Sequence, residues 1–280
     1  MIPDTTPSRA RRLLGILFFA IALSVVVTAL AQFAPIGLDW NTFHQAGRSL
    51  RDPFAVGGFV NPPHVLLLLP HAALPINWGN AINLILNVAV VGFIALPGGK
   101  WAVLMCYTNP LFFAMLTNNN IDWIAGLAFL IGGPMWLKWL IMSAKPHVIG
   151  GVGLVWLKRW GIRPLIPTVV VIAATFLIFG MWLSKIQLSP EAPKWNFAPF
   201  PVMIPLGVWM LWRGYAQDDQ ELAACATPFL TPYIAPYSIA LVYSLLARRD
   251  LRAAFWVWVG FWVFFVIEVR RIEFIYNALG

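Results

Sequence analysis

Charge is scarce in this chain: Asp, Glu, Lys and Arg together make up 11% of its 280 residues, and no segment resembles a soluble domain. Cysteine is nearly absent. Cys106 and Cys225 lie inside apolar runs without metal-ligand spacing, so neither a disulfide framework nor a zinc site is implied. The few histidines form no set with Asp or Cys at metal spacing, and a divalent cation is left only as an open option at Asp39. No internal repeat of the first half in the second is visible, and this argues against a repeat-built transporter or flippase.

Acidic residues are outnumbered, so the net charge is +8. In a soluble chain that excess would point to nucleic acid. Here the basic residues sit in short clusters at the ends of apolar runs, which is a topology signal instead. Arg9, Arg11 and Arg12 precede the first run, Lys158, Arg159 and Arg163 follow a middle one, and Arg248, Arg249 and Arg252 separate the last two. All three clusters are expected on the cytoplasmic side.

What is abundant is apolar: 60% hydrophobic residues with 15 Trp and 20 Phe, and a mean hydropathy of +0.76. This defines a polytopic membrane protein. At about 20 residues per crossing the length accommodates roughly eight to ten spans, counting broken or half helices, in an all-α bundle. Residues 1–12 are expected as a cytoplasmic tail and 13–280 as a single transmembrane domain, with outer loops at 34–63 and 184–196. Leu13 to Phe33 has no convincing cleavage site and is expected to stay as a signal-anchor helix.

Between the first two runs lies a polar loop, Asp39 to Phe54, followed by Asn61-Pro-Pro63 and a leucine-rich stretch. Residues 64–75 are too few to cross a bilayer as helix unless extended or assisted; as a half-crossing they put Asp39 and the later Thr117 to Asn120 loop on one side, and as a full span they would put that loop in the cytoplasm. Asn80 to Leu96, Trp101 to Leu116, Pro164 to Leu183, Phe197 to Trp212 and Ala253 to Ile267 are expected spans. Gly132-Gly-Pro134, Lys145-Pro146 and Lys158-Arg159 mark reversals between short helices. Pro228, Pro232 and Pro236 break another run into two. Trp-rich Phe255 to Phe265 is expected to pack or to face lipid. Arg270 and Arg271 fall on the outer side, against the usual bias.

Asp39, just past a span, is placed where water and a lipid-borne substrate meet, and a carboxylate partly withdrawn from water there suits a general base. Its alternative is a solvated loop residue or the N-cap of a short interfacial helix, with Asn41 and Thr42 competing for the cap. Asp52 before Pro53 reads as a turn residue. Lys145, a cation near a span, either pairs with a phosphate or snorkels to the interface. Asp122 and Asn118 to Asn120 either bind donor hydroxyls and hold Lys145, or form a polar hairpin. His44 and His64 flank the loop as acceptor or phosphate candidates, or as structural histidines.

In order, Asp39, Phe43, Ala46, Leu50, Asp52-Pro-Phe54, Asn61-Pro-Pro63, Asn119-Asn-Ile-Asp122, Ala144-Lys-Pro146 and Thr231 to Tyr237 resemble the short motifs of a bacterial group of C-type membrane glycosyltransferases. These are similar to polyprenol-phosphate-mannose-dependent mannosyltransferases. The chain reads as a short, divergent member, with Phe54 for a usual Tyr, Asn61 for an aromatic residue, and Asn119 where glycine is more usual.

The resemblance implies a GT-C-like fold in the bacterial cytoplasmic (inner) membrane, N-terminus inside and site outside. It implies inverting transfer of a mannose-like hexose from a polyprenyl-phosphate donor to an acceptor. Asp39 would serve as base, and Lys145, Asn119, Asn120 and Asp122 would bind the donor or its phosphate. The partners are then membrane lipids and the lipid-linked sugar, with no nucleic acid. A second reading is a non-catalytic structural or lipid-binding subunit of a larger membrane complex.

Overall fold

The computed structural model of the chain describes residues 9–30, 37–186 and 196–279, with side chains from 10 to 268. Among these every regular element is helical. The described residues within 1–94, 116–146 and 160–194 form one compact unit, and those within 95–115, 147–159 and 195–280 form a second.

In the first unit, α1 (Arg9–Leu30) is a helix of 22 residues, about 33 Å long at the α-helical rise. Most of its surface is apolar and outward-facing, with Leu14 and Phe18 exposed, as a helix against lipid requires. Its expected extension to Phe33 lies outside the described residues. The polar loop that follows is largely ordered. Gly37, in the left-handed region at φ 78°, starts α2 (Leu38–Arg48), and Trp40, Phe43, His44 and Ala46 form its buried face. Their helical spacing explains why this segment folds back as an amphipathic helix.

Residues 63–75 do not form an α-helix. Pro63–Leu68 and Pro70–Ala73 are two 3-10 turns separated at Leu69, and the longer spans only about 12 Å. Proline opens each turn and cannot supply a backbone donor, so a continuous α ladder is broken. α3 (Ile76–Ala95) then runs 20 residues. Beyond Thr117 the chain zigzags as expected, with Asp122–Leu130 and Met135–Met142 separated at Gly132 to Pro134.

In the second unit the single span expected over Trp101 to Leu116 is instead divided, with Lys100–Tyr107 ending at Thr108 and Pro110–Asn118 starting anew. The cause is Asn109-Pro110. Proline disfavours helix at the preceding residue, and the Asn109 side chain accepts from Leu111 N at 2.9 Å in place of the lost ladder bond. The proline-rich stretch is broken as read, between Thr227–Leu230 and Pro236–Arg249. Acids and bases meet at one end of this unit. Asp219 caps Gln220–Cys225 by accepting from Leu222 N at 2.8 Å and also receives Arg249 at 2.6 Å, while Arg248 pairs with Glu221 at 3.1 Å. The last of the three basic clusters thus doubles as a helix-end clasp.

Among the described residues, three helical stretches are long and apolar enough to cross a membrane: Ala10–Leu30, Ile76–Gly98 and Leu251–Glu268. Other apolar segments are shorter, among them Ile166–Phe179 and Ile204–Gln217. The tryptophan-rich last helix both packs and faces outward: Trp258 and Trp262 donate to Thr108 at 3.2 and 3.0 Å, while Trp256, Phe264 and Phe265 are exposed. The side chains of Arg270 and Arg271, and most of the 184–196 loop, lie outside the described residues.

Candidate functional site

All the residues that follow belong to the first unit. Along α3, Asn80, Asn83 and Asn87 recur at the period of one helix face within a span that is otherwise apolar. Their side chains clamp the Thr117 to Asn120 loop. Asn83 Nδ2 donates to the Asn119 carbonyl at 2.8 Å and to the Asn120 carbonyl at 3.2 Å, and Asn87 Nδ2 also reaches the Asn120 carbonyl. Trp123 Nε1 donates to Asn83 Oδ1 at 2.7 Å and Trp123 N to Asn87 Oδ1 at 3.2 Å. Carbonyls only accept and the indole and backbone N–H only donate, so the orientation of both amides is determined.

The same logic passes to the next amides. Asn119 Oδ1 receives Asn83 and Asn87, and Asn119 Nδ2 therefore donates to the backbone and side-chain oxygens of Asn80, both at 2.8 Å. Asn119 holds φ at 50°, in the left-handed region that Gly and Asn tolerate best. That turn delivers Asn120 to its partners.

Asn120 is the hub. Its Nδ2 donates to Asp39 Oδ2 at 2.6 Å, and its Oδ1 accepts from Lys145 Nζ at 2.5 Å and from Ile121 N at 2.7 Å. Lys145 also pairs with Asp122 at 2.8 Å, the two side chains being 4% and 1% exposed. A buried ammonium needs an anionic partner and filled donor positions, and Asp122 with Asn120 supplies both. The network thus reads carboxylate, amide, ammonium, carboxylate. With the ammonium on Asn120 Oδ1, only the NH2 end can face Asp39.

Asp39 is half-exposed, one residue inside α2 rather than at its cap, which is Gly37. Among the described residues only Asn120 hydrogen-bonds its carboxylate, through Oδ2. The structure brings together Asp39, Asn119, Asn120, Asp122 and Lys145, with Lys145 enclosed rather than presented at a surface. Asp52 is exposed and 3.7 Å from Lys185.

His44, His64 and His71 are buried. His44 Nε2 donates to the Leu74 carbonyl at 2.9 Å, tying α2 to the turn before α3. His64 lies 3.1 Å from the Ser143 hydroxyl, and Asn61 Nδ2 donates to the Ala144 carbonyl at 3.2 Å, so the Pro-Pro loop brackets Lys145. Burial pushes the His64 pKa down to about 4, against a weaker upward pull from the Leu140 carbonyl. His71, stacked on Trp40 at 4.7 Å, is lowered by burial too, opposed by Asn83. Both lie between the first two candidate spans.

Sequence reasoning missed Asn80, Asn83, Asn87 and Trp123. The asparagine spacing inside an apolar run was the available signal. Among the described residues no group of three or more His, Cys, Asp and Glu gathers as a metal site.

Over the described residues, fold and network define an all-helical chain with three helices long and apolar enough to cross a membrane and a buried charged cluster beside one of them. Comparison with protein-family models, with curated proteins and with solved structures finds no match.

Proposed function

We propose that the chain is an integral-membrane hexosyltransferase of GT-C-like architecture, taking a mannose-like sugar from a polyprenyl-phosphate donor on the outer face. The observation that carries this reading is the state of Asp39: half-exposed beside a candidate span, one carboxylate oxygen held by Asn120 and the other without a described partner. A base held at one oxygen keeps its direction while the other takes a proton.

In the proposed step the acceptor hydroxyl oxygen forms a bond to the anomeric carbon as the bond from that carbon to the phosphate oxygen breaks. The hydroxyl proton passes to Asp39 Oδ1, and the bond's electron pair leaves with the polyprenyl phosphate. Attack opposite the leaving group inverts the anomeric configuration. Asn120 positions Asp39. Lys145 acts through Asn120 and not on the phosphate, because its ammonium is enclosed with Asp122. Asn119 shapes the turn that carries Asn120. No step is routed through a divalent cation.

The test is the purified chain in lipid nanodiscs, given a polyprenyl-phosphate hexose with water and short alcohols as acceptors. Hydrolysis or transfer with inverted configuration supports the reading; an intact donor after prolonged incubation contradicts it. The burial of Lys145, Asp122 and Asn119 favours a second reading, a non-catalytic structural or lipid-binding subunit of a larger membrane complex, and an inert donor would favour that one.

A further inference from the structure

Two turns of the first unit carry cations that the buried network does not use. Arg48 is the last residue of α2, and the chain reverses directly after it, Asp52 N donating to the Ser49 carbonyl at 3.0 Å. Leu50 and Arg51 are the middle residues of that turn, and both are exposed, as is Arg48. The second turn, Trp182–Lys185, follows the apolar helix Ile166–Phe179. The two are fastened together: Phe54 stacks on Trp182 with ring centroids 5.8 Å apart, and Lys185 Nζ lies 3.7 Å from Asp52 Oδ1.

Charge and apolar surface alternate across this pair of turns. Among the described residues Arg48 and Arg51 have no ion-pair partner. The side chains of Lys185 and Asp52 are 46% and 56% exposed, and a long ion pair in that much water is weak. Three cations therefore stand against one carboxylate. Leu50, Met181 and Leu183 are exposed between them, and so are Leu177 and Ile178 at the end of the preceding helix. An outward apolar face thus runs straight into a basic rim.

We infer that these paired turns are a docking surface for the phosphate of an anionic membrane lipid. Aliphatic side chains at the boundary of acyl chains and headgroups, with long basic side chains reaching out to the headgroups, are what an interfacial segment requires. Negatively charged lipids draw such cations to the surface and hold them there. The sequence expectation sets the Asp39 to Phe54 loop on the outer side, where arginine is disfavoured. A lipid phosphate gives Arg48 and Arg51 a reason to be there. The inference stands apart from the transferase reading, since Asp39 lies at the other end of α2, about 14 Å from Arg48 along the axis, and no turnover is needed to test it.

The experiment uses the full chain in phosphatidylcholine nanodiscs. Cys106 and Cys225 are both buried, so a fluorophore on Ser49→Cys, an exposed position, labels this turn alone. Nanodiscs are prepared with increasing fractions of a lipid carrying a nitroxide near the top of its acyl chain, phosphatidylglycerol in one arm and phosphatidylcholine in the other. Half-quenching is expected at a mole fraction about fivefold lower for the anionic lipid, and the combined variant Arg48→Gln, Arg51→Gln, Lys185→Gln should bring the two curves to within about twofold. Arg213→Gln, which removes an exposed cation of the second unit, should leave both curves in place, and unchanged thermal midpoints check folding. Equal quenching by the two lipids, no quenching by either, an unchanged preference in the combined variant, or an equal loss in Arg213→Gln would overturn the inference. So would reversal by inorganic phosphate beyond that caused by sodium chloride at equal ionic strength, which would assign the surface to a free anion.

Discussion

At the scale of residues, Lys145 and Asp122 carry the greatest energetic risk. An ammonium and a carboxylate removed from water are tolerable only together. Lys145→Met, which strands Asp122, should therefore destabilise the protein by about 3–5 kcal/mol, read from denaturation in neutral detergent. The double variant Lys145→Met with Asp122→Leu should recover most of that loss, because no buried charge remains unpaired. A Lys145→Met protein as stable as the wild type would remove the pair from the account.

His64 offers a pH test. Its pKa is pushed from 6.5 to about 4 in the folded chain, so between those values the unfolded state takes a proton that the folded state refuses. Its contribution to stability is complete above pH 6.5 and is lost as pH falls towards 4. The thermal midpoint of the wild type should fall across that window more steeply than that of His64→Gln. Parallel curves would place His64 in contact with water.

Elements show how much was legible. The zigzag after Asn120 and the break near Pro232 were readable because the Gly132-Gly-Pro134 cluster and the repeated prolines act locally on the backbone. The helix over Leu38–Arg48 was legible only as one alternative, a short interfacial helix, because its composition is polar. Only packing of Trp40, Phe43, His44 and Ala46 reveals its inner face. The expected span over Trp101 to Leu116 failed on one dipeptide, Asn109-Pro110, outweighed in the reading by the apolar run around it.

Asp39, Asn120 and Lys145 were legible as candidates because a polar group in an apolar chain stands out, but their order of contact was not. Contact order depends on the left-handed turn at Asn119 and on the α3 asparagines, which are distant in sequence. Close packing also fixes α3 against α2. A Cβ at Gly79 would meet Trp40 Cζ2 at 2.7 Å and the His71 carbonyl at 2.8 Å. Gly79→Ala should therefore cost about 1–3 kcal/mol through overpacking, despite alanine's better helix propensity. A stabilised variant by thermal melting would show that this contact is loose.

For the whole molecule, composition told the class but not the count of crossings. Hydropathy summed over a window does not distinguish one helix of crossing length from two short ones joined at a turn. Three helices of sufficient length, together with exposed apolar residues such as Phe18, Leu177 and Trp256, describe a surface made for lipid rather than water. A cluster of buried charge among the described residues is held by asparagines from a candidate span, and its half-exposed carboxylate is Asp39. The proposed activity rests on that carboxylate. The most direct measurement compares donor turnover by wild type and Asp39→Asn in nanodiscs, at matched folding by thermal midpoint. Loss of about 10²-fold or more in rate is predicted for the variant, as expected when a positioned base is removed. A folded Asp39→Asn protein that turns over the donor at the wild-type rate would contradict the account.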